Sequence, residues 1–296
     1  MTTNRQLNMG EISSIQLDRL TIVGTIRRDK ENYSPLFMKL LNGIDKRLQV
    51  DPYYKNHLYD RKIGVRTEES TAFIELSKNK TMYASDFRLD FNPTKCNEED
   101  IKYIKEILHY IDNKKATRID IAADFLHQNF SQYHIEDGRR RKTNRITGAS
   151  GRLETEYRGV RESDDYIKLY DKSRERFDKK WEKVDYEWFR LEETAKGKKA
   201  KDWTNYEWFE NIRLVPDHKN PIFPEDVKAT TKSQAYSVIM GFQNITEFSK
   251  GTQTKIREVI REAKFHGEVN IYEQIKKAPH QQMLNDALEK IRFFLK

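Results

Sequence analysis

The stretch RIDIAADF, Arg118 to Phe125, alternates a charged or small residue with an apolar one, and this period of two is the mark of a β-strand with one wet face and one dry face. Two other segments share its opening, Arg88-Leu89-Asp90 and Arg190-Leu191-Glu192, so in each a base and an acid two positions apart share a face. A fourth, Tyr166 to Lys172, puts Lys168, Tyr170 and Lys172 together in the same way. United in one sheet, these strands make one face ionised and the other apolar, and an ionised face is a poor core.

Outward from Arg118 to Phe125, Leu20 to Ile26, Ala72 to Leu76 and Asp86 to Asn92 read as strands, the last stopped by Pro93. Asn97 offers an N-cap for a helix to about Ile111, with acidic residues in its first turn and an apolar stripe at Ile101, Ile104, Ile107, Leu108 and Ile111. A further helix is expected over Asn32 to Leu48. From His127 to Gly151 the chain reads as a long loop carrying Arg139, Arg140, Arg141 and Lys142. Strands follow at Glu154 to Tyr157, Tyr166 to Asp171 and Tyr186 to Glu193. After Gly197 the pattern turns helical, over Asp202 to Asn211, Pro224 to Met240, Lys250 to Lys264 and Gln281 to Phe294, with Lys255, Arg257 and Arg261 on the exposed side of the third.

The fold class is therefore α+β, with a central, mostly antiparallel sheet followed by a helical C-terminal region. The expected division is a flexible arm over residues 1–14, a sheet domain over 15–200 and a helical region packing on it over 201–296. At 296 residues the chain can bury a real core. A net charge of +8 and a pI near 9.2 suit a polyanionic partner. The single cysteine, Cys96, excludes an intrachain disulfide framework and a cysteine-rich zinc site. With no signal-like apolar run and no apolar span of membrane length, a cytoplasmic protein without a membrane partner is expected.

Tyr157 stands among basic groups in GRLETEYRGVRESDDYIKLYDK, Gly151 to Lys172, and is the candidate covalent nucleophile. A tyrosine hydroxyl titrates near pH 10 and needs activation, which cations such as Arg158 and Arg161 can supply. A divalent ion on the acidic face would polarise a phosphoryl oxygen, and carboxylate ligands select Mg²⁺ or Mn²⁺. Asp120 and Glu192 lead as ligands, with Asp90 third; Asp124 lies about 13 Å along the strand from Asp120, at roughly 3.3 Å per residue. The seven histidines show no close ligand pair. Tyrosine attack on a DNA phosphodiester cuts one strand and stores the bond as a phosphotyrosine that a 3′-hydroxyl can reverse without ATP. The blander reading is that any one of 15 tyrosines is more often structural, and that an Arg-x-Asp strand is more often a solvated face with cross-strand ion pairs.

Leu20 to Gly24 (LTIVG), Arg88 to Pro93 (RLDFNP), Arg118 to Phe125, ETEYRGVRESDDYIKLYDK and Trp188 to Glu192 (WFRLE) together resemble the rolling-circle replication initiators of small Gram-positive plasmids. The branch is that related to the staphylococcal tetracycline-resistance plasmids. Each motif is short, but their shared order and spacing cover most of the chain. The resemblance implies a relaxase-like distorted ferredoxin fold, a 5′-phosphotyrosyl bond at Tyr157, and acidic metal ligands in place of a histidine pair; Arg161 and Arg190 are the candidate catalytic cations beside that tyrosine. It also implies a homodimer that nicks a plasmid double-strand origin, works with a host superfamily 1 helicase, and reads its origin near residues 266–280. Arg139 to Lys142, Arg158, Lys168, Lys172, Lys255, Arg257, Arg261, Lys276 and Lys277 are the expected DNA contacts. Two features depart from the pattern. Arg158 stands where relatives carry an aromatic, and TAKGKKAKDW, Thr194 to Trp203, aligns poorly. The competing readings are a conjugative or phage relaxase with the same chemistry, and a non-catalytic origin-binding protein.

Overall fold

The computed structural model describes residues 10–29, 32–33, 46–51, 54, 58–77, 85–179, 183–217 and 221–296. Its N-terminal half contributes β1 (Ser14–Ile26), the short pair β2 (Arg28–Asp29) and β3 (Asn32–Tyr33), then β4 (Leu48–Asp51), β5 (Arg61–Arg66), β6 (Thr71–Leu76) and β7 (Phe87–Phe91). Helix α1 (Glu98–His109) leads into the long β8 (Ile111–Leu126), followed by β9 (Tyr133–Glu136), β10 (Thr143–Thr147), β11 (Leu153–Arg158) and β12 (Asp165–Asp171). Then come α2 (Lys172–Asp178), β13 (Trp188–Lys196), α3 (Gly197–Lys201), β14 (Arg213–Pro216), β15 (Pro221–Ile222), α4 (Ala229–Ile239), α5 (Lys250–Glu262), β16 (Lys264–Phe265), β17 (Val269–Asn270), α6 (Ile271–Ile275) and α7 (Ala278–Leu295).

Ten strands form one sheet in the order β10-β11-β12-β13-β8-β1-β7-β6-β5-β4, and every neighbouring pair is antiparallel. Its apolar face carries Leu20, Ile22, Leu89, Ile119, Ile121, Phe125 and Leu191, all fully buried. Helices α1 and α7 cover that face through Ile104, Leu108, Ile291 and Phe294. The Phe294 ring meets Phe91 edge-on at 5.0 Å between centroids. The cap foreseen at Asn97 is a full capping box: its side chain accepts from the Asp100 amide at 2.9 Å, and the Asp100 carboxylate accepts from the Asn97 amide at 3.2 Å. Ile111, read as the end of this helix, begins β8 instead.

The α+β class holds, with a large antiparallel sheet and a C-terminal helical region. Several elements differ from expectation. Of the helix expected over Asn32 to Leu48, Asn32 and Tyr33 pair with Arg28 and Asp29 as a hairpin and Leu48 begins β4, while 34–45 lie outside the described residues. Of the expected N-terminal arm, residues 1–9 lie outside the described residues. Gly10 to Ser13 are tied down: the Gln128 side chain accepts from the Gly10 amide at 2.5 Å and donates to the Glu11 carbonyl at 2.7 Å, and Ile12 is buried. The loop expected over 127–151 carries β9 and β10; β9 pairs with β14 from beyond residue 200, so the expected boundary is bridged by backbone hydrogen bonds.

Asp202 to Asn211 is a run of turns rather than a helix. Phe209 and Asn211 adopt left-handed φ of 60° and 59°, and the Phe209 amide donates to the buried Glu193 carboxylate instead of to a helical carbonyl. Helices α4 and α5 pack on each other through a second, smaller apolar cluster of Ala235, Ile256 and Val259. Among the described residues, no helix is long and apolar enough to cross a membrane.

Candidate nucleic-acid active site

On the sheet face opposite α1 and α7 lies a concave cavity of about 470 Å³. Its lining takes in Asp90, Arg118, Asp120, Tyr157, Arg161, Lys168, Tyr170, Lys172 and Glu192, so side chains from separate motifs meet on one ionised surface. The register shows how. Tyr157 on β11 pairs with Lys168 on β12, Lys168 with Glu192 on β13, and Glu192 with Ala122 on β8. The four lie in one cross-strand row, with neighbouring Cβ atoms about 5 Å apart.

Tyr157 is half-buried. Arg161, exposed in the turn after β11, donates to its hydroxyl and holds its guanidinium carbon 4.5 Å from the ring centroid. The Arg161 carbonyl in turn accepts from Lys196. Beside them, the Lys168 ammonium lies over the Tyr170 ring at 3.5 Å and is 3.9 Å from the Glu192 carboxylate, which also accepts from the Tyr170 hydroxyl at 2.5 Å. Burial raises the pKa of Glu192; Lys168 opposes that rise, and repulsion from Asp18 adds to it. Tyr170, buried against Glu192, is raised well above an ordinary phenol.

Two lining residues, Asp18 and Arg19, escaped the reading of the sequence. The register of β1 on β8 slips between Leu17 and Arg19, a β-bulge that brings the adjacent Asp18 and Arg19 to the same polar face. A signal was present: along SIQLDRLTI the apolar positions run Ile15, Leu17, then Leu20, Ile22, a phase slip across Asp18-Arg19. Arg19 clamps Asp90 with two hydrogen bonds of 2.7 and 2.8 Å, and Arg88 adds a third at 2.8 Å. Burial works to raise the pKa of Asp90, but these cations outweigh it and hold the group below the ordinary carboxylate range.

Both oxygens of Asp120 are taken by Arg118, at 2.9 and 2.7 Å, and burial still raises its pKa. Arg190 shares a face with Glu192 as expected, yet it is buried in a two-bond clamp on Asp124 at 2.7 and 2.8 Å, with a third bond of 2.8 Å to Asp18. It lines a neighbouring cavity of about 580 Å³ that also holds Trp188, Lys95 and Arg176. Asp120, Glu192 and Asp90 thus do not form a ready ligand set for a divalent ion. Among the described residues, no group of three His, Cys, Asp or Glu side chains is placed to hold one.

The remaining basic positions separate by burial. Arg139, Arg140, Arg141 and Lys142 line a depression of about 360 Å³ with Gly159 and Ser163. Arg140 and Lys142 are exposed, whereas Arg141 is held between Asp137 and Asp165 at 2.8 and 2.9 Å. Arg158 lies on the other side of β11 from Tyr157, donating to Thr143 at 2.8 Å and the Arg139 carbonyl at 3.0 Å. Lys172 is buried against Glu175 at 2.5 Å; burial and the nearby Arg190 lower its pKa, and the same pair holds Glu175 down at about 2. Lys255, Arg257 and Arg261 are exposed along α5. Lys276 and Lys277 are exposed between α6 and α7, but within 266–280 Ile271, Ile275 and His280 are buried.

Over 170 residues the chain is 31% and 29% identical to two replication initiation proteins of Staphylococcus aureus. Each match takes in 55% of this chain and 50% of the relative, so the chain spans about half the length of the curated relatives it matches. Among solved structures, a rolling circle replication initiator protein from Geobacillus stearothermophilus aligns with 64% of this chain and 76% of its own, at 12% identity and a TM-score of 0.41. No family model matches. The chain is related in sequence to replication initiation proteins.

Proposed function

We propose that this protein initiates rolling-circle replication of a Gram-positive plasmid, binding the double-strand origin, nicking one strand through Tyr157 and rejoining strands at termination. The observation that carries this function is the row Tyr157, Lys168, Glu192 at a basic cavity, with Arg161 donating to the tyrosine oxygen. In the cutting step the phenolic oxygen bonds to phosphorus and the bond from phosphorus to O3′ breaks. The phenol gives up its proton, the leaving 3′-oxygen takes one, and a 3′-hydroxyl primer is released. Arg161 offsets negative charge at the attacking oxygen, and Lys168 offsets charge on the phosphoryl group. A relaxase-like sheet, a homodimer, a host superfamily 1 helicase and a cytoplasmic setting belong to the same proposal.

Mg²⁺ or Mn²⁺ is kept in the proposal with a narrower donor set. Asp90 is committed to Arg19 and Arg88, and Asp120 to Arg118. Of the three expected ligands only Glu192 is outside a guanidinium clamp among the described residues; Asp18, which accepts from Arg190, and Glu175, held by Lys172, line the same cavity, and the repulsion between Glu192 and Asp18 is what a cation relieves. When bound, the ion would supply Lewis-acid polarisation of a phosphoryl oxygen.

The clamped acids favour a second reading, an origin-binding protein that does not cut. Incubation with a supercoiled plasmid carrying its origin and Mg²⁺ separates the two. The expected product is a nicked circle with protein covalently attached, lost by at least about a thousandfold in Tyr157→Phe while origin binding survives. Undiminished nicking by that variant removes Tyr157 from the mechanism, and binding without any nicking by the unaltered protein leaves the second reading.

A further inference from the structure

The cavity that holds Tyr157 has an aromatic residue on its far wall with no part in the chemistry above. Phe73, in the middle of β6, sits on the ionised face yet is 38% exposed. Its cross-strand partners explain the exposure. On one side it pairs with Asp90, drawn into the clamp of Arg19 and Arg88; on the other it pairs with Gly64 of β5, which has no side chain to lay against the ring. The Lys62 ammonium stands 4.3 Å from the ring centroid. Isolated exposed aromatics on a convex surface call for no explanation. This one is different: its partly exposed ring shares a cavity with Arg118, Lys168 and Glu192, where exposed hydrocarbon is unfavourable unless something flat covers it.

We infer that Phe73 is a stacking platform for a nucleobase of single-stranded DNA, with Lys62 beside it to meet the phosphate of the same strand. An exposed ring takes the π-face of any base, and an adjacent ammonium takes the anion that every base carries with it. The platform rests on the cavity being the DNA site proposed above. β11 and β6 are six inter-strand spacings apart, about 29 Å along the curved sheet at roughly 4.8 Å each. Phe73 therefore holds a nucleotide well away from the scissile phosphate and acts on strand binding rather than on bond cleavage.

The test uses the full chain carrying Tyr157→Phe, so that nothing is cut, and two fluorescent probes of equal charge: a short oligothymidylate and an abasic oligomer of the same length. Adding Phe73→Leu, which keeps most of the volume but removes the π-face, should weaken oligothymidylate binding by about tenfold and leave abasic binding unchanged, with Phe73→Trp restoring or exceeding the parent preference. Equal binding of both probes by parent and Phe73→Leu proteins overturns the platform and leaves the DNA site standing. An equal loss on both probes makes Phe73 a packing residue, which also overturns it. Failure of the parent protein to bind either probe overturns the DNA site itself, and the platform with it.

Discussion

The ionised face of the sheet is built in two ways. Across its middle, Asp90, Asp120 and Asp124 each accept two hydrogen bonds from a single guanidinium, those of Arg19, Arg118 and Arg190. Toward the β11 edge the pairing loosens: Glu192 has a phenol and an ammonium 3.9 Å away, and Tyr157 has Arg161 from an exposed turn. A forked clamp fixes both partners and spends their charge on each other, so those pairs cross-link strands. A buried acid without a guanidinium keeps an unmet demand for a cation, which a substrate-bound ion or a proton can fill. The proposed chemistry falls at the loosely paired edge, and the clamped middle is built for rigidity.

Asp124→Ala gives the largest expected effect, because it removes both clamp bonds from the buried Arg190 and leaves it only Asp18 among the described residues. A loss of about 3–5 kcal/mol in urea unfolding is expected, and a loss within 0.5 kcal/mol or so would show that the clamp is not a cross-link.

Glu193, on the apolar side of the same strand β13, tests the contrast from behind. Burial pushes its carboxyl up to about 7, against the partial relief given by the Phe209 amide and the Tyr206 hydroxyl. An unfolded glutamate titrates near 4.5. Between these values the folded protein holds a proton that the unfolded chain has released, so stability is fullest below about 4.5 and falls as pH rises toward 7. Glu193→Gln should remove a decline on the order of 3 kcal/mol at 1.36 kcal/mol per pH unit, seen as a flatter plot of unfolding free energy against pH. An unchanged slope would assign the decline to other buried acids.

Glu192→Gln should do the reverse of Asp124→Ala. Its charge is already disfavoured and an amide oxygen still accepts from Tyr170, so stability should move by less than about 1 kcal/mol. Formation of the covalent adduct should fall by about a hundredfold or more. Equal destabilisation by the two variants would erase the distinction between edge and middle.

How much of this was legible follows the physics of each signal. Period-two alternation in Arg118 to Phe125, and the i, i+2 pairs at Arg88, Arg118 and Arg190, are local, and they placed the wet face correctly. Partner choice is not local. Arg190 faces Glu192 along its own strand but meets Asp124 across to β8, because strand order decides which acid lies opposite. Asp18 was hidden by a one-residue slip in alternation, β9 by a partner, β14, that comes from another part of the chain, and β10 by a polar sequence without apolar alternation, although its partner β11 follows it directly. The turns of Asp202 to Asn211 were read as helix because their buried aromatics, Trp203, Trp208 and Phe209, mimic an apolar stripe, while the carboxylate that captures the Phe209 amide comes from β13.

The smallest expected effect carries the contrast to the basic surface. Arg141 resembles the clamped middle: only 12% of its side chain is exposed, and two aspartates hold it. Lys255, Arg257 and Arg261 resemble the edge, exposed along α5; among the described residues Arg257 donates to Gln253, and Arg261 comes no closer than 4.0 Å to Glu262. A charge already neutralised by the protein displaces few counterions from DNA, whereas a solvated one displaces nearly its full share. Each of the three exposed charges, replaced by alanine, should therefore lower the slope of log K against log salt for duplex binding by a little under one, with almost no change in stability. Arg141→Ala should leave that slope unaltered and lower the melting temperature by removing one cation from each of Asp137 and Asp165, which keep Arg158 and Arg139 respectively. If Arg141→Ala instead lowered the salt slope, the guanidinium would have to leave its aspartates when DNA arrives, and the clamps would be a reserve of phosphate contacts rather than fixed cross-links.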